Sequence, residues 1–517
     1  MLIWNRWRDA DEAEPPSSER VAFVTGGDFA RSGAPQREAA ARFSYYFRLA
    51  EKPPFAARSF YAHLPVCPTQ GESFGACYDR DNNEIPNSGI TIIAEPSRLR
   101  VAFPWDICRY QQGCDWQHRP YFSPVANKHF VEVGPALDSA AFRQLLMEVL
   151  LYCFNWLGLP LVRVSPFYHD KKFFSFRIDA DGFTESSTQA GLRIADKAGL
   201  PFTWFIDTGA WKKARRWLSR LREHGQDVQL HCFRHMTYAS REVNDINIRK
   251  GLQELSRSGI TPNSIVSPLG YNYEGFAQAI KDHGFVYSSE FGYAVDDLPS
   301  FPWNNDKYPL QIPVHPASSG VLRKAGFSSE EQFAHLFAVV ERRCAADGIC
   351  ILYDHPNGGL DTRELQYADL FDRLRNRCYE YICMPDYCRI WLGRPKNPTI
   401  LFDRGRIEVD GFRDNGFRLE QVTNGHIGPV WWHNAVLPQI SEFQRSGRYC
   451  YPNGRTRCLA RERNRSMSKE RHYSRSQWYV NEVKGALARW TGYYRCRRFL
   501  DRVGWLRLVS KPTKPEG

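Results

Sequence analysis

The sequence predicts an α/β protein whose central part is a distorted β/α barrel, and three observations carry that expectation. Between residues 173 and 388, short apolar strands alternate with amphipathic helices, the pattern of a parallel sheet wrapped by its crossover helices. The side chains able to do chemistry there, Asp179, Asp181, His231, His235 and His355, each follow an apolar run, where barrel strands present reactive groups. At 517 residues the chain also exceeds what one hydrophobic core usually organises, so the barrel has neighbours.

Taken in order, residues 1–40 are polar and contain Pro15 and Pro16, which predicts a flexible start with one short strand at 21–24. Residues 41–168 alternate aromatic and proline-rich segments. Strands at 90–95 and 99–103 and a helix at 139–157 predict a mixed α/β domain without a catalytic motif.

The barrel spans 169–389. Its first strand is FFSFRIDADG (173–182), followed by a helix at 187–198 that ends at Gly199. Strands are then expected at 202–207, 228–230, 264–267, 286–288, 310–314 and 350–353. Helices are expected at 211–224, 243–257, 273–283, 330–346 and 363–375. Residues 390–454 predict a small β-rich appendage, from two short strands around the glycine turn in TILFDRGRIEV (399–409).

Charge separates the tail from the body. Residues 455–517 hold 17 Lys and Arg against 5 acids, a net of +12, which equals the net of the whole chain. Residues 1–454 are therefore neutral, and no nucleic-acid partner is expected for the body. Within 477–509, Trp478, Val483, Leu487, Trp490 and Tyr494 recur at helical spacing among Lys484, Arg489, Arg495 and Arg498. A basic amphipathic helical tail of this kind suits an anionic membrane surface. A helix packed on its own protein with a solvated basic face would read the same.

No run of about 18 apolar residues marks a bilayer span. The N-terminal stretch has no apolar core of an export signal, and the fourteen cysteines form no CxxC pair. The expectation is a cytoplasmic protein with reduced thiols, peripheral on the inner face of the membrane if the tail binds lipid.

The chemistry concentrates in the barrel. An Asp-x-Asp alone is usually a turn or cap, and an HxxxH alone is often a surface pair on a helix. Here the acids, the paired histidines and a late histidine come in order, each after a strand. Asp181, His231 and His235 form an open three-ligand set for one divalent metal ion, and no organic cofactor is called for. Zinc is the expectation from ligand type, with cobalt, nickel and manganese also suited. Asp179 is placed to act as base and His355 as acid toward a leaving amine. Asp207 ends the next strand, where it could touch a substrate hydroxyl, although a turn role fits it better. Trp204, Trp211 and Trp303 are candidate sugar-stacking rings or core residues. His224, His283 and His315 read as structural.

This constellation resembles the polysaccharide deacetylase family (carbohydrate esterase family 4, the NodB-homology fold) over roughly residues 170–388. The resemblance implies that Asp179 is the base, that Asp181, His231 and His235 hold the metal, and that His355 is the acid. One residue is inserted between the two acids, a form similar to the lipid-linked aminoarabinose deformylases. The third motif keeps Pro268 and Gly270, followed by Tyr271, but has Val266 where the family has arginine. Arg177 and Arg234 are the candidates to orient Asp179 instead, or to bind substrate. The fourth motif is loosely met by Ser288-Ser289-Glu290 and by Asp296-Asp297.

The implied activity is hydrolytic removal of an acetyl or formyl group from the nitrogen of a sugar during bacterial surface polysaccharide synthesis. Its partner would be an acylated sugar or lipid-linked glycan. The competing readings are an O-deacetylase using the same site and a glycan-binding protein that keeps the barrel without catalysis. Val266 favours the latter, and the intact acids and histidines count against it.

Overall fold

The computed structural model describes residues 171–394 without a break. It also describes residues 2–5, 21–25, 43–50, 58–66, 73–79, 81–95, 98–105, 116–157, 161–165, 399–403, 406–410, 419–423 and 426–429. The basic tail, including 477–509, lies outside the described residues.

The barrel strands are β1 (Lys172–Ala180), β2 (Thr203–Ile206), β3 (Asp227–Leu230), β4 (Ser264–Ile265), β5 (Tyr287–Ser288), β6 (Leu310–Gln311), β7 (Ile349–Asp354) and β8 (Tyr379–Tyr381). All pair in parallel, in the order β6-β5-β4-β3-β2-β1-β7. β8 pairs with the first three residues of β1, below the point where β2 joins that edge. Just after β6 the chain reaches the far edge, where the His315 N–H donates to the Ile351 carbonyl of β7 at 2.9 Å. That bond curls the sheet into a distorted barrel.

Strand alternation decides what lies inside. Phe174, Phe176, Ile178 and Ala180 of β1 pack with the helices, in one core with Trp204, Ile206 and Leu352. Phe173 joins Phe205, Val266, Tyr287, Ile351 and Tyr353 in the lumen. Arg177 and Asp179 share the parity of Phe173, so the pleat turns them inward. Burying one such aromatic or aliphatic side chain contributes about 1.5–3 kcal/mol.

The helices are α1 (Glu185–Ala198), α2 (Thr208–Trp211), α3 (Arg215–Glu223), α4 (Arg241–Ser256), α5 (Glu274–Asp282), α6 (Ser319–Lys324), α7 (Ser329–Asp347), α8 (Glu364–Asn376) and α9 (Met384–Leu392). α1 starts at Thr184, whose hydroxyl accepts the Ser187 N–H, and stops at Gly199 with φ 64°. The helix expected over 211–224 is two helices. Trp211 and Trp217 are both buried, and six residues apart on one helix they would face roughly 120° away from each other. The non-helical Ala214 resets the chain so that both reach the core. Strands β4 to β6 are shorter than the sequence indicates, since each pairs over only two residues before the chain turns.

A second core unites Phe47, Phe60, Leu99, Val101, Phe103 and Trp105 with Phe142, Leu145 and Val149 of the helix Ser139–Trp156. The expected strands appear as Val21–Thr25, Ile90–Glu95 and Arg98–Phe103. After the barrel, Thr399–Asp403 and Arg406–Asp410 form the expected antiparallel pair. Leu419–Thr423 pairs with Leu161–Val164, tying the segments before and after the barrel together.

A hairpin, Trp116–Ser123 with Lys128–Pro135, leaves the second core and lies on the barrel. Lys128 Nζ donates to Glu331 at 2.6 Å and to the Gly326 carbonyl at 3.0 Å. Beneath it, four side chains from four segments form a buried chain. Asp296 Oδ2 lies 2.8 Å from His315 Nδ1, the two Nε2 atoms of His315 and His335 are 3.2 Å apart, and His335 Nδ1 lies 2.9 Å from Ser123 Oγ.

Burial, joined by the neighbouring His315, pushes His335 down to about 3, while Asp296 opposes the shift. The folded value lies below the unfolded one of about 6.5, so this stability is complete above pH ~6.5 and is lost as pH falls toward 3. The loss is about 1.4 kcal/mol per pH unit. Thermal unfolding from pH 7 to 4 is expected to show a steeper decline for wild type than for His335→Gln. Superimposable declines would contradict this.

Candidate metal centre

The ends of β1 and β3 bring the candidate ligands together. Asp181 directly follows β1, and His231 directly follows β3. The segment from His231 to His235 is a loop, not a helix. Cys232 adopts φ 62°, which turns the chain back, and the turn after β2 holds it there. Gly209 donates its N–H to the Phe233 carbonyl at 2.8 Å and Thr208 donates to the Cys232 carbonyl at 3.1 Å. From α4, Asn247 accepts the Arg234 N–H at 2.9 Å and donates to the carbonyls of Arg234 and Met236. A loop fixed at this many points presents its imidazoles at set positions.

Those imidazoles meet at one oxygen. His231 Nε2 and His235 Nε2 both lie 3.1 Å from Asp181 Oδ1, and His355 Nε2 lies 3.4 Å from Asp181 Oδ2. His231 is 1% exposed, and its Nδ1 sits 3.0 Å from the Val266 carbonyl. A carbonyl only accepts, so Nδ1 carries the proton. In neutral His231 the bare Nε2 therefore faces a carboxylate oxygen, two lone pairs that repel unless a positive centre lies between them. The ligand atoms of Asp181, His231 and His235 lie within 4.8 Å of one another, and this N, N, O set fits a divalent cation.

The electrostatics agree. Burial alone would raise Asp181, but His235 and His355 outweigh it and hold the carboxyl well below its ordinary range. Burial would lower His355, yet Asp181 and Asp354 lift it to about 9. Asp354 is itself buried and ties the strand end down, accepting the N–H groups of His355 at 2.7 Å and Ser319 at 3.0 Å and the Tyr367 hydroxyl.

Asp179 stands beside this group inside the lumen, 4% exposed. Its Oδ2 accepts from Arg177 Nη2 at 2.9 Å, while its buried Oδ1 makes no hydrogen bond. Val266 is fully buried in the lumen, and the part of it that touches the site is its carbonyl. Arg234 sits on the histidine loop, with its main chain held by Asn247.

Pro268–Gly270 form a single turn, anchored where Thr237 Oγ1 donates to the Pro268 carbonyl at 3.1 Å. Gly270, at φ 66°, lies against the Phe291 ring, which leaves no room for a Cβ. Tyr271 stacks on Trp116 of the hairpin with centroids 4.0 Å apart.

Asp207 is fully buried and caps α2, its Oδ1 accepting the Gly209 and Ala210 N–H groups. Burial lifts its carboxyl to about 6. Trp204 and Trp211 are fully buried core residues. His224 and His283 close their helices and pair with Asp196 and Asp245. In the fourth-motif segment, Glu290 accepts the Ser267 N–H in the lumen, Asp296 pairs with His315, and Asp297 pairs with Arg143 at 2.8 Å.

Sequence reading missed Glu132, Trp116 and Asn247. Glu132 comes from the hairpin and is an electrostatic neighbour of His355; burial raises its carboxyl while His355 and Lys324 oppose. No local pattern announces a residue that reaches the site from some 220 positions away.

No family model matches the chain, and no curated protein matches it. Solved structures do. A family 4 carbohydrate esterase from Streptomyces lividans in complex with acetate is 16% identical, covering 41% of this chain and 91% of that one with a TM-score of 0.29. A peptidoglycan N-acetylglucosamine deacetylase is 15% identical over 42% of this chain and 88% of its own, with a TM-score of 0.32. A family 4 pseudoenzyme from Bacillus anthracis is 13% identical over 42% and 66%, with a TM-score of 0.31.

Proposed function

We propose that this protein is a metal-dependent hydrolase that removes an acyl group from the nitrogen of a sugar, with the residue roles of the polysaccharide deacetylase family. The observation that carries the reading is the convergence of His231 and His235 on Asp181 Oδ1, with the free Oδ1 of Asp179 and the imidazole of His355 beside it.

Asp181, His231 and His235 would hold the ion, and when bound it supplies Lewis acidity toward the acyl carbonyl and an attacking water. Asp179 would serve as the base through Oδ1, the oxygen that has no hydrogen-bond partner while Arg177 holds Oδ2. His355 protonates the departing nitrogen, a step an amide requires because an amide anion is a very poor leaving group.

The substrate class is an N-acylated sugar, lipid-linked or nucleotide-linked, in the synthesis of a bacterial surface polysaccharide. The lipid-linked form is favoured by the net +12 of residues 455–517, which suits an anionic membrane surface. Among the described residues, no helix is long and apolar enough to cross a membrane.

The reading is tested by incubating the zinc- or cobalt-loaded protein with N-acetylglucosamine oligosaccharides and O-acetylated xylo-oligosaccharides, and measuring acetate and free amine. Equal amounts of acetate and amine are expected from the first substrate. Acetate from the second alone would make the protein an esterase. Metal binding with no product from either would leave a glycan-binding barrel.

A further inference from the structure

Arg177 is a buried cation that none of the roles above uses directly. It is fully buried in the lumen, where its two terminal nitrogens are bonded and its Nε has no hydrogen-bond partner. Nη2 donates to Asp179 Oδ2 at 2.9 Å and Nη1 donates to the Ser289 carbonyl at 2.7 Å. The rings of Phe205, Phe291 and Tyr353 surround the guanidinium, with centroids 5.7, 5.1 and 5.4 Å from its carbon. Such a charge is costly to bury unless it is paired and hydrogen-bonded. Here the pairing partner is the candidate base. The two residues are two apart on one strand, so the pleat points them the same way and backbone motion moves them together.

We infer that Arg177 is the positioning residue for Asp179. By occupying Oδ2 and clamping itself to the Ser289 carbonyl and three rings, it fixes the carboxylate plane and leaves Oδ1 as the one oxygen without a partner, free to take a proton. Strand β4 offers apolar Val266 to the lumen and supplies no guanidinium, so the anchor of the base comes from the base's own strand. The inference rests on Asp179 being the base, and its test separates the two claims.

Arg177→Met, Arg177→Lys, Asp179→Asn and the double variant Arg177→Met/Asp179→Asn are compared in three measurements. In the metal-free protein, Arg177→Met is expected to lower the melting temperature clearly in wild type and much less in the Asp179→Asn background, since the cost is an unpaired buried carboxylate. Cobalt affinity, read from visible absorption, stays within about threefold throughout, because a positioning residue is not a ligand.

With N-acetylglucosamine oligosaccharides, Arg177→Met lowers kcat about a hundredfold or more with KM within about threefold, and Arg177→Lys recovers about tenfold of that loss. The double variant is no more than about twofold below Asp179→Asn. Equal melting losses in both backgrounds, multiplicative kcat losses, or loss of cobalt binding would each overturn the assignment. An inactive wild type would refute the hydrolase reading, and the metal-free comparison would still decide whether Arg177 holds Asp179.

Discussion

Asp179→Asn is expected to lower kcat for N-acetylated oligosaccharides by about a hundred- to ten-thousandfold, the range general-base removal costs. The asparagine keeps the shape and a carbonyl-like oxygen for Arg177 Nη2, so the lumen stays packed and the cobalt affinity changes little. Loss of the proton acceptor alone then explains the fall. Two controls make the result specific. Circular dichroism should match wild type, and KM should move by less than about threefold, because a general base acts on the attacking water and not on ground-state binding. A variant that keeps more than about a tenth of wild-type kcat would remove Asp179 from the proton path.

His355→Gln separates acid catalysis from attack. An amine leaving group must be protonated as it departs, whereas p-nitrophenolate leaves unaided. The variant should therefore lose about a hundredfold or more on N-acetylated sugars but less than about tenfold on p-nitrophenyl acetate. The geometry that predicts this is the placement of His355 Nε2 against the second oxygen of Asp181, 3.4 Å away, on a strand end that Asp354 holds rigid. Equal losses on both substrates would instead give His355 a role in the attack or in holding the ion.

Much of this site was legible because its parts are local. The apolar run FFSFRI states a buried strand that ends in acids, and the structure shows its alternate residues facing the helices and the lumen. Asp181 and His231 follow strands β1 and β3, so any parallel barrel brings them to one mouth. His235 needed more, since only the loop bonds from Gly209, Thr208 and Asn247 place it against Asp181.

What sequence could not decide was competition between distant residues. Sequence offered Arg177 and Arg234 alike to orient Asp179, and only the fold shows Arg177 Nη2 donating to Asp179 Oδ2 at 2.9 Å. The hairpin 116–135 was overlooked because its prolines and its turn at Asn127, with φ 49°, break the strand pattern. Its packing on α6 and α7 depends on partners nearly two hundred residues later. The break between α2 and α3 was hidden for a related reason, because propensity favours one helix there and the burial of two tryptophans requires two.

The most direct test of the central claim is the metal content of the protein purified without chelator, measured by inductively coupled plasma mass spectrometry beside His231→Ala/His235→Ala. The predicted result is about one divalent ion per chain in wild type and none in the variant, with circular dichroism unchanged. No bound ion in wild type, even after incubation with zinc, cobalt, nickel or manganese, would contradict the hydrolase and leave the facing lone pairs of His231 and Asp181 to be explained by protonation alone.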